Sequence, residues 1–248
     1  MKREEFKIEI CSNSVLSCIE AQRGGADRVE LCAGIPEGGT TPSAGMIRSA
    51  RESINIALNV IIRPRGGDFL YTAEEIREMV YDIELARDYG ADGLVFGALT
   101  PDGDIDMRLM ETLMKAAGET PVTFHRAFDH SRNPVEAMEN IINLGCCRIL
   151  TSGRKATAAE GIPLLAELVD KSAGRIIIMP GCGVNENNIA RIAASTSASE
   201  FHFSARRMVD SMMKYRNSEA SMGEGSEDFG VPVTSSERVA DTISAIIG

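Results

Sequence analysis

Eight times along its 248 residues the chain passes from a short apolar segment, often β-branched, into a longer stretch of helical spacing. The strand-like segments fall at 6–11, 28–32, 57–63, 93–97, 121–126, 148–152, 175–179 and 200–204. The helical stretches carry their own start and stop signals. In the one over 74–89, Thr72 precedes Glu75 by the three residues of a capping box. The one over 135–144 follows Asn133-Pro134, a cap and first-turn pair. Gly90 and Gly145 close these two helices in the usual C-terminal role. Eight strand–helix cycles in this length predict a single-domain (β/α)8 TIM barrel spanning residues 1–248. A doubly wound sheet is the alternative, but its strands would be apolar on both faces. Here Thr123 and His125 face away from Val122 and Phe124, and His202 and Ser204 away from Phe201 and Phe203. Inward polar residues near strand ends suit a barrel mouth. A long irregular segment, 206–233, follows the eighth strand with Met208, Met212, Met213 and Met222, and is expected to fold over that mouth. The final helix is expected over 234–247, opened by Thr234 with Glu237 three residues on.

The balance of charge restricts the partners. A net charge of −10 with a pI near 4.9 argues against binding a nucleic-acid backbone. The absence of Trp and the 5% aromatic content argue against base-stacking surfaces. Neither a signal peptide nor a spanning apolar run is visible, so a cytoplasmic protein with no membrane partner is expected. Its six cysteines then read as reduced thiols.

The chemistry concentrates at strand ends, where barrels of this type build their sites. The first two strands close on Glu9-Ile10-Cys11 and Glu30-Leu31-Cys32. Residues two apart share a strand face, so each strand presents a carboxylate and a thiol on one face, with Lys7 or Arg28 behind them. A carboxylate pair points to proton transfer, and Glu9, Glu30 and His125 are the catalytic candidates. The alternative for Glu9 and Glu30 is a structural pairing with those basic residues. A thiol pair points to a soft metal, and two ligands suit low-coordinate Cu(I) better than tetrahedral zinc. Buried cysteines also simply fill space. Arg63 and Arg65 read either as an anion clamp or as structural counter-charges for Glu9 and Glu30. Arg126 lies beside His125, and Asp129 four residues beyond that histidine is a candidate to hold it. Ser152, Gly181, His202 and Ser204 complete the candidate ligand-binding set, with the Gly-Cys-Gly loop after strand seven placed where barrels often hold phosphate.

These motifs resemble the CutC family, named for copper homeostasis. The resemblance runs through GGADRVELC at 24–32, GGTTPS at 38–43, IRPRGGDFLY at 62–71, GADGLVFGALTPDG at 90–103, TFHRAFD at 123–129, RILTSG at 148–153 and EFHFSAR at 200–206, and so covers nearly all of 6–247. It implies a (β/α)8 barrel, a cytoplasmic location, a homodimer or larger homo-oligomer, and copper handling with Cu(I) at Cys11 and Cys32. It implies no organic cofactor. One departure stands at Cys182, where the family more often has Gly. Two functions follow. One is Cu(I) binding through the two thiols, with Cys182 or the methionines of 206–233 as possible further ligands. The other is an isomerase- or lyase-type enzyme for a small anionic metabolite, held by Arg63, Arg65 and Arg126.

Overall fold

The structure, a computed structural model, describes residues 1–217, 219 and 229–247. Eight parallel strands alternate with seven helices: β1 Lys7–Ser12, α1 Val15–Arg23, β2 Arg28–Leu31, α2 Ala44–Ser53, β3 Ala57–Ile61, α3 Ala73–Asp88, β4 Gly93–Phe96, α4 Met107–Ala117, β5 Val122–Phe124, α5 Pro134–Asn143, β6 Arg148–Thr151, α6 Ile162–Ser172, β7 Ile177–Pro180, α7 Ile189–Thr196 and β8 Glu200–Phe203. They form one sheet in the order β7-β6-β5-β4-β3-β2-β1-β8, a nearly closed TIM barrel. The seam lies between β7 and β8, which no ladder joins among the described residues.

Local chemistry places the elements. Oxygens of Ser14, Ser43, Thr72, Asp106 and Asn133 each accept a backbone N–H in the first turn of the following helix. Thr72 and Glu75 form the full capping box, and Pro134 opens α5. Outward-facing strand residues such as Ile8, Ile10, Val29, Leu31, Leu58 and Phe201 pack under the helices with no solvent exposure. Each such buried side chain is worth about 1.5–3 kcal/mol. The interior is different. Its lower layers are polar, with Glu9, Asn59, Arg148 and Glu200 buried. A small apolar plug of Cys32, Ile61 and Val95 sits above them. Gly93 on β4 has to lack a side chain, since a Cβ there would lie 2.3 Å from the Asn59 Oδ1 that occupies the barrel interior.

The stretch after β8 is not irregular throughout, as the sequence suggested. Its ends form an antiparallel hairpin, β9 Arg206–Asp210 with β10 Gly230–Thr234, in the register Val209 to Val231. Val231, Val233 and Thr234 supply β-branched partners for β9, which the scattered Gly and Ser between them hid. The hairpin starts at the mouth with Arg206 and is tied to the loop before α1 through Asn13 Nδ2 donating to the Pro232 carbonyl (3.2 Å). Most of its length faces solvent. Met208, Met212 and Met213 are 53%, 98% and 61% exposed, which leaves them no place beside the thiols. Met222 lies outside the described residues. The last helix, α8, spans Ser236–Ile247. Ser235, not Thr234, caps it by accepting the Arg238 N–H (3.3 Å), because Thr234 is held in the β10 ladder.

Candidate functional site at the barrel mouth

β1, β2 and β8 are neighbours, and their C-terminal ends bring Cys11, Cys32, Glu30 and His202 together. The two cysteines are offset by two positions, since Cys11 pairs with Glu30 in the ladder. Their sulfurs nevertheless lie 3.6 Å apart. Donor atoms of Cys11, Glu30 and His202 lie within 4.8 Å of one another. Glu9, one layer deeper and fully buried, accepts from His202 Nδ1 at 2.8 Å. It also pairs with Arg28 and accepts from Asn59 Nδ2 (2.9 Å). This fixes the imidazole so that Nε2 faces Glu30, 3.6 Å from Oε2.

The electrostatics separate these groups into unlike states. The Cys32 thiol, by hydrogen bonding to Cys11, holds the Cys11 sulfur well below the usual thiol range, with His202 and Arg206 adding to the effect against burial. Cys32 is pushed up by that same contact and by burial. Burial drives Glu30 up to about 8, helped by the charges of Cys11 and Glu9. Burial acts against charge on Glu9 too, but Arg28 and His202 outweigh it and keep Glu9 ionised. His202 is raised well above the usual histidine value, because Glu30, Cys11 and Glu9 together overcome its burial. These shifts favour the thiolate at Cys11, the thiol at Cys32 and the protonated imidazole at His202, beside a Glu30 carboxyl near its titration point.

The other sequence candidates divide. Arg63 is buried and donates to the carbonyls of Glu37, Gly39 and Gly67, so it anchors loops and does not counter Glu9 or Glu30. Arg65 pairs with Glu75 and Asp68. Asp129 does not hold His125. It accepts from Arg126 Nε (2.8 Å), the Thr151 hydroxyl (2.5 Å) and the backbone of Ser152 and Arg154, tying the β5 and β6 loops together. His125 Nδ1 instead accepts the Ala127 N–H, and the ring packs edge-on against Phe69 at 5.0 Å. Burial, with the Arg63 charge, lowers His125 to about 3. The Gly181 amide is spent on the Thr151 carbonyl (2.9 Å). Cys182 Sγ points to the Ala156 carbonyl (3.1 Å). Ser152 bridges Asp129 and Arg126.

A cavity of about 370 Å³ opens over the β7–β8 seam. Cys11, Arg126, His202 and Ser204 line it, as do Glu186, Arg206 and Arg238, which were not among the sequence candidates. Arg206 closes the EFHFSAR motif of the eighth strand end and was within reach of sequence reasoning. Arg238 and Glu186 sit on α8 and in the β7–α7 loop, and only the closure of the barrel brings them to the mouth. Six sealed side-chain atoms have no hydrogen-bond partner among the described residues: Glu30 Oε1, Arg63 Nε, Tyr71 Oη, His125 Nε2, Glu186 Oε2 and Arg206 Nε. Such groups are rare in folded proteins and call for a ligand or water.

The CutC family model matches residues 6–207 of this chain. A Bacteroides thetaiotaomicron protein described as a family protein CutC is 58% identical over 246 residues, covering 98% of this chain and 99% of that one. The human copper homeostasis protein cutC homolog is 50% identical over 243 residues, covering 97% and 89%. A crystal structure of CutC from Streptococcus agalactiae superposes with a TM-score of 0.77 at 34% identity, covering 80% of this chain and 98% of that one.

Proposed function

The chain belongs to the CutC family, and from that premise we propose that it binds Cu(I) at the mouth of its barrel through Cys11 and Cys32, with His202 as a third donor. The observation that carries the reading is the 3.6 Å approach of the two sulfurs, one already favoured as thiolate, since thiolates are the ligands that select Cu(I). The spacing also bears on coordination. Twice a metal–sulfur bond of about 2.3 Å is roughly 4.6 Å, so a linear two-thiolate ion would require the sulfurs to part. A bent arrangement fits them as they stand and leaves room for a third donor. His202 Nε2 suits that place, because Glu9 on Nδ1 is the carboxylate partner that ligating histidines usually have. Binding would displace both the Cys32 proton and the Nε2 proton of His202.

Anaerobic titration of the protein with Cu(I) against a competing chelator tests the reading. The expected result is one Cu(I) per chain, lost in the Cys11→Ser, Cys32→Ser double variant and weakened at least tenfold, about 1.4 kcal/mol, in His202→Ala. Unchanged stoichiometry in the double variant would sink it.

The unpartnered atoms of Glu30 and Arg206 favour a second reading, an enzyme whose small polar substrate occupies the same mouth. Glu30, near its titration point at neutral pH, is the group suited to move a proton there. Arg65 has no part in this version, and Arg126 remains.

A further inference from the structure

We propose that the cavity over the β7–β8 seam is a binding site for a phosphate group, formed by Arg126, Arg206 and Arg238. The proposal deepens the second reading by naming the ligand's anionic group, and no thiol takes part in it.

The protein carries a net charge of −10, yet this cavity is lined by three arginines and a single carboxylate, Glu186. Asp129 answers Arg126 from behind and Glu186 lies 3.5 Å from Arg238, which leaves Arg206 without a counter-charge among the described residues. Collecting like charges is unfavourable unless something answers them, and for one of the three the described residues supply nothing. Arg206 makes no ion pair among them. Its Nη2 reaches only the Cys11 sulfur at 3.9 Å, and its Nε is sealed from solvent without a partner. A guanidinium left in that state costs free energy that an oxyanion would recover.

The arginines are also held in place. Arg238 Nη1 donates to the Arg206 carbonyl (2.7 Å), and its Nη2 lies 3.5 Å from Glu186. Arg126 is fixed by Asp129 through Nε and by Ser152 through Nη2 (3.0 Å). Its Nη1 makes no hydrogen bond to the described residues. Three forks from the β5–α5 loop, β9 and α8 thus line one space, two of them held by hydrogen bonds. Gly183, Ser204 and Ala205, all small, form part of the wall. Carboxylates would engage one guanidinium fork well. Three guanidiniums around one cavity fit the three free oxygens of a phosphate monoester better.

Calorimetric titration of the full-length protein with inorganic phosphate in a dilute chloride buffer tests this, with succinate as a parallel arm. The expected result is saturable 1:1 phosphate binding, weakened at least tenfold in Arg206→Gln and in Arg238→Gln. Arg48→Gln, an exposed arginine on α2, should bind as the parent does. Arg206 begins the hairpin, so its variant could misfold. Arg238 is on the half-exposed face of α8, and its variant provides the independent arm, with near-UV circular dichroism confirming the fold. Absence of phosphate binding by the parent protein overturns the proposal. If succinate binds while phosphate does not, the phosphate assignment falls and a small-anion enzyme survives. Full affinity in both Arg206→Gln and Arg238→Gln also overturns it.

Discussion

His125 and His202 occupy equivalent strand-end positions but have opposite electrostatic fates. His202 lies among Glu9, Glu30 and Cys11 and is held protonated. His125 lies between Phe69 and Phe124, near Arg63, and is held neutral with a value lowered to about 3. Sequence shows both as polar residues facing inward, and only the neighbours brought by other strands decide their charge. The consequence for His125 is a pH-dependent stability. In the unfolded chain it titrates near 6.5, so between about 6.5 and 3 the unfolded state binds the extra proton and gains from acid. Its contribution is present above 6.5 and is lost as pH falls toward 3. Between pH 7 and 5 the loss amounts to about 2 kcal/mol. Glu30, raised to about 8, acts with the opposite sign, so the parent curve alone does not isolate the histidine. The difference between parent and His125→Gln does. Denaturant unfolding at pH 7 and pH 5 should show the variant losing about 2 kcal/mol less than the parent, and equal losses would refute the assignment.

Elements that rest on local chemistry were legible from the sequence. The eight strands, the capping box at Thr72 and the Pro134 start all lie within a residue or two of expectation. Six of the eight expected strands overshoot, as at Arg63, Arg126 and Ser152, because the chain leaves the sheet to form the mouth loops, whereas β1 and β7 end one residue later than expected. The β9–β10 hairpin was not legible, since its two strands pair across an intervening stretch of about twenty residues that gives no turn signal. The site divided in the same way. Cys11, Cys32, Glu30 and His202 were visible as strand ends, whereas Arg238 depends on how α8 packs at the seam. Cys182 belongs to this scale. It takes φ +73° immediately before Gly183 at +72°, a left-handed pair in which a side chain is disfavoured. Cys182→Gly should relieve about 1 kcal/mol of that strain, partly offset by unfolded-chain entropy. The net expected change is a rise in Tm of about 1–3 °C, measured calorimetrically, with Cu(I) stoichiometry unaltered. A fall in Tm would show that the contact of Sγ with the Ala156 carbonyl outweighs the backbone strain.

Across the whole molecule, the incomplete ladder between β7 and β8 places the burden of closure on side chains inside the barrel. Arg28 on β2 donates to Glu200 on β8 (2.7 Å) and pairs with Glu9 on β1, and its Nη2 lies 3.6 Å from the Met179 sulfur on β7. Arg148 on β6 donates to the same Glu200 (2.6 Å) and to Thr123 on β5 (3.0 Å). Asn59 on β3 completes the Glu9 contacts. Seven of the eight strands therefore meet in one buried polar layer, and Glu200 joins the two sides of the seam. Replacing such a network wholesale by apolar residues is often neutral, but removing one partner leaves an uncompensated buried charge and costs about 3–5 kcal/mol. Arg28→Ala strips two carboxylates at once, so the cost should reach that range. The denaturation midpoint should fall with little change in the m-value, and Tm should drop by roughly 10 °C. The same layer supports the mouth directly above it. Glu9 orients His202 only while Arg28 and Asn59 hold Glu9. Arg28→Ala should therefore also weaken Cu(I) binding by about 10-fold, the size of effect seen when a ligand's outer partner is disturbed, although Arg28 itself is one layer below the thiols. A variant that loses stability but binds Cu(I) as the parent does would show that closure of the barrel and orientation of the site are independent.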